Sequence, residues 1–162
     1  MWKGRFEEEP ALMVQQFTQS LDLDWRMAEH DIRGSIAHVR MLAKVGLLQE
    51  QEAEKIEEGL RRVRDEIAEG RFVPSEALED VHMNVESRLT ELEPLGAKLH
   101  TARSRNDQTA TTVRLFLRDR LIALELSLLT LLEVLLNRAE AQLRVIVSGY
   151  THLQQAQPIS MG

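Results

Sequence analysis

Between Thr109 and Val147 the chain runs for 39 residues without a glycine or a proline. A single helix over that run would be about 58 Å long at 1.5 Å per residue, longer than a small domain is wide. Leucines and isoleucines occupy more than one of its faces between Leu115 and Leu136. Such a helix cannot bury itself within 162 residues, so it calls for a multi-helix bundle built between subunits. Its most hydrophobic part, Leu121 to Leu136, carries Glu125 and Glu133 and is flanked by Arg120 and Arg138. That is short for a membrane span and burdened with two carboxylates, so it reads as a helix buried in protein.

The segments before it are helical as well, and no strand pattern competes with them. One helix follows Pro10 and runs to about Gln19. A second, with Asp24 as a candidate cap, repeats Ile32, Ile36, Val39 and Ala43 along one face and closes at Gly46. A third places Ala53, Ile56, Leu60, Val63 and Ile67 in one stripe and ends at Gly70. These two are expected to form an antiparallel hairpin. A fourth starts at Ser75, carries Val81, Val85, Leu89 and Leu92, and is broken by Pro94 and Gly96. The fold class is therefore all-α: a small N-terminal helical domain over residues 1–108, then the first long helix of a bundle and a polar loop over 109–162.

Composition narrows the function. The chain has no cysteine, which removes disulfides, thiolate metal sites and thiol catalysis and fits a cytoplasmic protein. A formal net charge of −6 argues against nucleic acid and anionic membranes as partners. The opening Met1 to Phe6 runs into three glutamates and has no apolar segment or cleavage pattern of a signal peptide. Any anion bound here must be caught by a local cluster of donors.

Three polar stretches supply candidates. Residues 96–108 contain Lys98, His100, Arg103, Ser104, Arg105, Asn106, Asp107 and Gln108 just ahead of the long helix. A helix N-terminus there would favour a carboxylate or phosphate, and the two arginines could grip a carboxylate in two-pronged fashion. The plainer alternative is that Ser104 or Asp107 caps the helix and the arginines are solvated. Residues 148–158 place Thr151 and His152 beside Gln154, Gln155 and Gln157, in a loop after the helix that Gly149 could terminate. Histidine suits proton exchange near neutrality, although a lone loop histidine is more often structural. In residues 79–89, His82 and Glu86 are i,i+4 neighbours, which a surface pair explains at least as well as two ligands of a zinc site. His30 and His38 read as structural.

The order and spacing of Glu79-Asp80-Val81-His82, the Lys98-to-Gln108 core, and Gly149-Tyr150-Thr151-His152-Leu153-Gln154 with Ala156-Gln157-Pro158 resemble the argininosuccinate lyase family. Trp2 to Phe6, Phe17 to Ser20 and Asp24 to Gly34 fit it too, with Lys3 where glycine is usual. The resemblance implies an all-helical homotetramer whose active sites are shared between subunits and which needs no metal or organic cofactor. It implies a trans elimination that splits argininosuccinate into arginine and fumarate. Within it, His152 and Thr151 take catalytic positions, and Ser20, Arg103, Ser104, Arg105, Asn106, His82 and Gln154 take substrate-binding ones. Family members are roughly three times as long, and the serine loop credited with proton abstraction has no counterpart in these residues, so the 162-residue chain alone is expected to be inactive. Ser148 stands where proline is usual and Gln155 where arginine is common. The other readings are a non-catalytic, crystallin-like homologue and another fumarate-releasing lyase of the superfamily.

Overall fold

The computed structural model describes residues 11–162. The expected helix start at Pro10 and the Trp2-to-Phe6 segment lie outside the described residues. The described chain comprises α1 (Leu12–Thr18), α2 (Leu21–Asp24), α3 (Ala28–Lys44), α4 (Glu50–Ala68), α5 (Val81–Leu92), α6 (Arg105–Ala141) and two strands, β1 (Ile146–Thr151) and β2 (Gln154–Ser160). Short 3-10 turns at Trp25–Met27, Glu76–Leu78 and Pro94–Lys98 join the helices. It divides into two compact units, one ending at Phe116 and the other Leu117–Gly162.

In the first unit, α3 and α4 form the expected hairpin. Both ends are closed by the same device. Gly46 and Gly70 take φ of 78° and 68°, the left-handed conformation that other residues adopt only with strain. The next residue of each then turns its N–H back to the helix, Leu47 to the Leu42 carbonyl and Arg71 to that of Glu66. At its start, α4 is held by a capping box between Gln49 and Glu52. The core is Ile32, Val39 and Leu42 of α3, Ala53, Ile56, Leu60 and Val63 of α4, and Val81, Val85 and Leu89 of α5. Ile36, Ala43, Ile67 and Leu92 pack around its edge, so the apolar stripes read from spacing are the buried ones. Leu99, the one sizeable apolar residue of the polar 98–108 segment, is buried in the same core and anchors it.

Four boundaries differ from expectation. In the first, α3 begins at Ala28 and is not capped by Asp24, whose carboxylate accepts the Val81 N–H instead. The helix foreseen from Ser75 begins at Val81, because the Asp80 carboxylate accepts the Met83 N–H at 2.6 Å and caps it there. Glu79, at φ 70°, separates it from the preceding turn. The long helix starts at Arg105, not Thr109, so Asn106, Asp107 and Gln108 lie in its first turn. Its N-terminus is closed by Ser104, whose Oγ accepts the Asn106 N–H at 3.2 Å and whose N–H donates to Asp107 Oδ2 at 2.9 Å.

The fourth difference lies in the second unit. The helix ends at Ala141 rather than Val147, and the expected polar loop is an antiparallel hairpin of β1 and β2. Val145, Ile146, Val147, Tyr150 and Thr151 are β-branched or aromatic, types that favour an extended chain. Gly149 does not terminate the helix. It sits at a bulge in β1, where an added Cβ would be 2.9 Å from the Gln157 carbonyl oxygen. No described helix is long and apolar enough to cross a membrane.

Candidate active site

The first turn of α6 enters the first unit against α3 and α5, and the polar side chains there form a connected set. Asp31 of α3 is 1% exposed, and its Oδ1 meets His82 Nδ1 at 2.8 Å, Gln108 Nε2 at 2.8 Å and Thr112 Oγ1 at 3.4 Å. Burial opposes its charge, but the hydrogen bonds of His82 and Gln108, with the charge of Arg103, outweigh it and hold Asp31 below the usual carboxylate range. His82 is therefore not half of a surface pair with Glu86. It is 3% exposed, and its Nε2 lies 3.2 Å from Thr109 Oγ1. Among the described residues no group of three or more metal-ligating side chains is gathered, so the His82–Glu86 spacing finds no third ligand.

The two arginines have different situations. Arg103 is not a solvated cation: its side chain is 5% exposed and its guanidinium donates to Ser35 Oγ at 3.1 Å. Burial pushes its pKa down, with Asp31 and Asp107 acting in the opposite sense. Arg105 is more open. It donates to Gln108 Oε1 at 2.5 Å and stands 3.4 Å from Glu86 Oε2 and 3.8 Å from Asp80 Oδ2. Ser104 and Asn106 beside it are exposed, at the positive end of a 37-residue helix.

Ser20 joins this set through Asp24. The Ser20 hydroxyl donates to Asp24 Oδ2 at 2.6 Å, and Asp24 Oδ1 accepts the Val81 N–H at 3.1 Å at the start of α5. Burial raises the Asp24 pKa, opposed by the Ser20 hydrogen bond and reinforced by Asp80. Ser20, His82, Arg103, Ser104, Arg105 and Asn106 thus fall within one unit, where Asp31 and Gln108 tie His82 to Arg105 and Asp24 ties Ser20 to the start of α5. Spacing could not reveal Asp31. Its signal is an aspartate flanked by His30 and Ile32 on the buried stripe of α3, a charge where the pattern asks for an apolar residue.

The remaining candidates, Thr151, His152 and Gln154, lie in the second unit at the tip of the hairpin, and all three are exposed. Thr151 pairs with Gln154 across a two-residue turn of His152 and Leu153. Both turn residues have left-handed backbones, φ 50° and 62°. This is the geometry that usually selects Asn-Gly, so a histidine here is held at a conformational cost. The turn leaves the imidazole in the open.

A family model described as lyase matches residues 4–162. The chain is 52% identical to the argininosuccinate lyases of Hahella chejuensis and Alcanivorax borkumensis, each alignment covering 100% of this chain and 35% of the relative. It is 52% identical over 98% of its length to 35% of the argininosuccinate lyase of Geobacter sulfurreducens. The chain therefore spans about a third of the length of the curated relatives it matches. With its helical architecture and with the family match running through the polar cluster and the hairpin alike, the chain belongs to the lyase family.

Proposed function

We propose that the chain is the N-terminal portion of an argininosuccinate lyase acting in arginine biosynthesis, a carbon–nitrogen lyase that releases fumarate from argininosuccinate by trans elimination. The observation that carries this is the first turn of α6. There the partly exposed Arg105 side chain and the exposed Asn106 stand next to each other in the first turn of a helix, whose N-terminus favours a substrate carboxylate. Identity of about half over essentially the whole chain to three argininosuccinate lyases supports the same reading. In it, Ser20, Ser104, Arg105 and Asn106 bind carboxylates, while His82 and Arg103 back them from within. Thr151, His152 and Gln154 meet the substrate from the hairpin, with His152 exchanging a proton. The base that abstracts the proton lies outside these residues. The active assembly is a cytoplasmic homotetramer whose sites are shared between subunits. Leucines exposed along α6, such as Leu121, Leu128 and Leu132, give copies of the chain an apolar surface to share.

The test is fumarate release from argininosuccinate, with adenylosuccinate as control. The chain is assayed alone and co-expressed with the C-terminal two-thirds of the Hahella chejuensis relative. Activity on argininosuccinate only in the co-expressed pair is the expected result. Activity of the pair on adenylosuccinate alone would overturn the substrate, and release by the isolated chain would overturn the placement of the base.

A further inference from the structure

The polar knot behind the α6 N-terminus has a direction, and Asp31 sets it. An ionised carboxylate only accepts hydrogen bonds, so each group on Oδ1 must present a proton: His82 through Nδ1, Gln108 through its NH2, Thr112 through its hydroxyl. His82 and Gln108 each have a second polar atom on the far side, and its character is then fixed as well. In the neutral imidazole, with its one proton on Nδ1, His82 shows a lone pair at Nε2, toward Thr109 Oγ1. With its NH2 on Asp31, Gln108 turns Oε1 toward Arg105 and accepts from the guanidinium. The reversed amide would set a carbonyl against the carboxylate and an NH2 against the guanidinium, two repulsive contacts in a poorly screened interior. Gln108 also makes the shortest contact to Arg105, since Met83 Sδ, Glu86 and Asp80 lie at 3.0, 3.4 and 3.8 Å.

We propose that Asp31 is a positioning residue of the substrate site: through Gln108 it aims the Arg105 guanidinium, and through His82 it keeps Nε2 a proton acceptor. This rests on the reading of Arg105 as a carboxylate binder. An aspartate buried for packing alone would satisfy both oxygens. Here the donors crowd one oxygen, and Oδ2, also buried, accepts no hydrogen bond from the described residues.

The experiment is nitrogen-15 NMR on the full chain at a pH where imidazole is neutral, reading the His82 tautomer and the Arg105 side-chain N–H signals. Wild type is expected to show His82 protonated on Nδ1 alone and a slowly averaging Arg105. Asp31→Asn, which can offer either an oxygen or an NH2, is expected to give mixed His82 tautomers and a mobile Arg105, while Thr112→Val changes neither. A wild-type His82 protonated on Nε2 would overturn the proposal. So would an Asp31→Asn chain whose tautomer and Arg105 signals stay unaltered. If Asp31→Asn does not fold, Gln108→Leu decides: Arg105 should become mobile with the His82 tautomer kept, and an unaltered Arg105 overturns the link. Succinate, titrated as a plain dicarboxylate, is expected to shift the Arg105 signals and to bind roughly five-fold more weakly to Gln108→Leu. Wild type that shows the fixed tautomer and ordered Arg105 but ignores succinate upholds the positioning and overturns the carboxylate reading alone.

Discussion

A Cβ placed on Gly59 would fall 2.6 Å from Leu89 Cδ1, so α4 and α5 meet at a point where α4 has no side chain to give. Leu89 is fully buried, and on its other side an added Cβ at Gly96 would come within 2.7 Å of its Cγ. Gly59→Ala should therefore destabilise the first unit although alanine is the better helix former by about 1 kcal/mol. Overpacking a filled core costs about 1–3 kcal/mol, and the net loss expected is about 1 kcal/mol. Urea unfolding should show a lower midpoint with an unchanged slope. A midpoint that rises would mean Leu89 can move aside.

Glu57 makes the stability of the α3–α4 hairpin depend on acid. Hydrogen bonds from Arg40, with burial opposing and Arg61 adding to them, bring its pKa from 4.5 down to about 2. In that interval the unfolded chain takes up a proton that the folded chain refuses, so stability rises with pH. The contribution is complete above 4.5 and is lost as pH falls through about 2. Arg40 and Arg61 are 61% and 47% exposed, so solvent screening reduces the effect to about 1 kcal/mol. Asp31, held below the usual carboxylate range, works in the same direction. Glu57→Gln should flatten the pH dependence of the urea midpoint in this window, and added salt should flatten the wild type. Equal slopes in the two proteins would assign the acid sensitivity elsewhere.

Much of the helical fold was legible because the physics that makes it is local. The Ile32-to-Ala43 and Ala53-to-Ile67 stripes follow helix period, and Gly46 and Gly70 mark ends that need a left-handed residue. The hairpin was not legible because its strands follow a helix with no breaker between Thr109 and Val147. Val145-Ile146-Val147 fits either state until Ser160 Oγ binds the Leu143 carbonyl and Met161 N–H binds that of Val145. In the cluster, the arginines and Asn106 stood out as a polar run. Asp31, 77 residues before Gln108, became a partner of that run only through tertiary packing.

Arg105 and lysine should not be interchangeable if the guanidinium grips a carboxylate by two N–H groups. In the co-expressed enzyme, Arg105→Lys should raise the KM for argininosuccinate about tenfold, equivalent to about 1.4 kcal/mol of lost binding. The circular dichroism of the chain should be unchanged, since Arg105 is partly open to solvent. An unchanged KM would leave Arg105 as a structural partner of Gln108 and Glu86 only.

Leu153 is 99% exposed and sits at φ 62°, so its side chain contributes no contact that offsets the strain of the turn. Leu153→Gly should tighten the hairpin by about 1 kcal/mol, since glycine adopts this conformation without the Cβ clash. Amide exchange at the paired Thr151–Gln154 end would slow. Faster exchange would show that Leu153 has a partner in the assembled protein that glycine cannot replace.

The apolar face of α6 makes the strongest demand on assembly. Leu128, Leu131, Leu132, Leu135 and Leu136 are each more than half exposed within one chain. That is more contiguous apolar surface than a soluble monomer ordinarily presents. The chain should sediment as an oligomer at micromolar concentration, and Leu128→Glu with Leu132→Glu should shift it toward monomer. Both changes lie in the second unit, so the α3–α4–α5 core should keep its unfolding midpoint. A wild-type chain that stays monomeric and soluble at that concentration would show that these leucines need a partner other than a second copy.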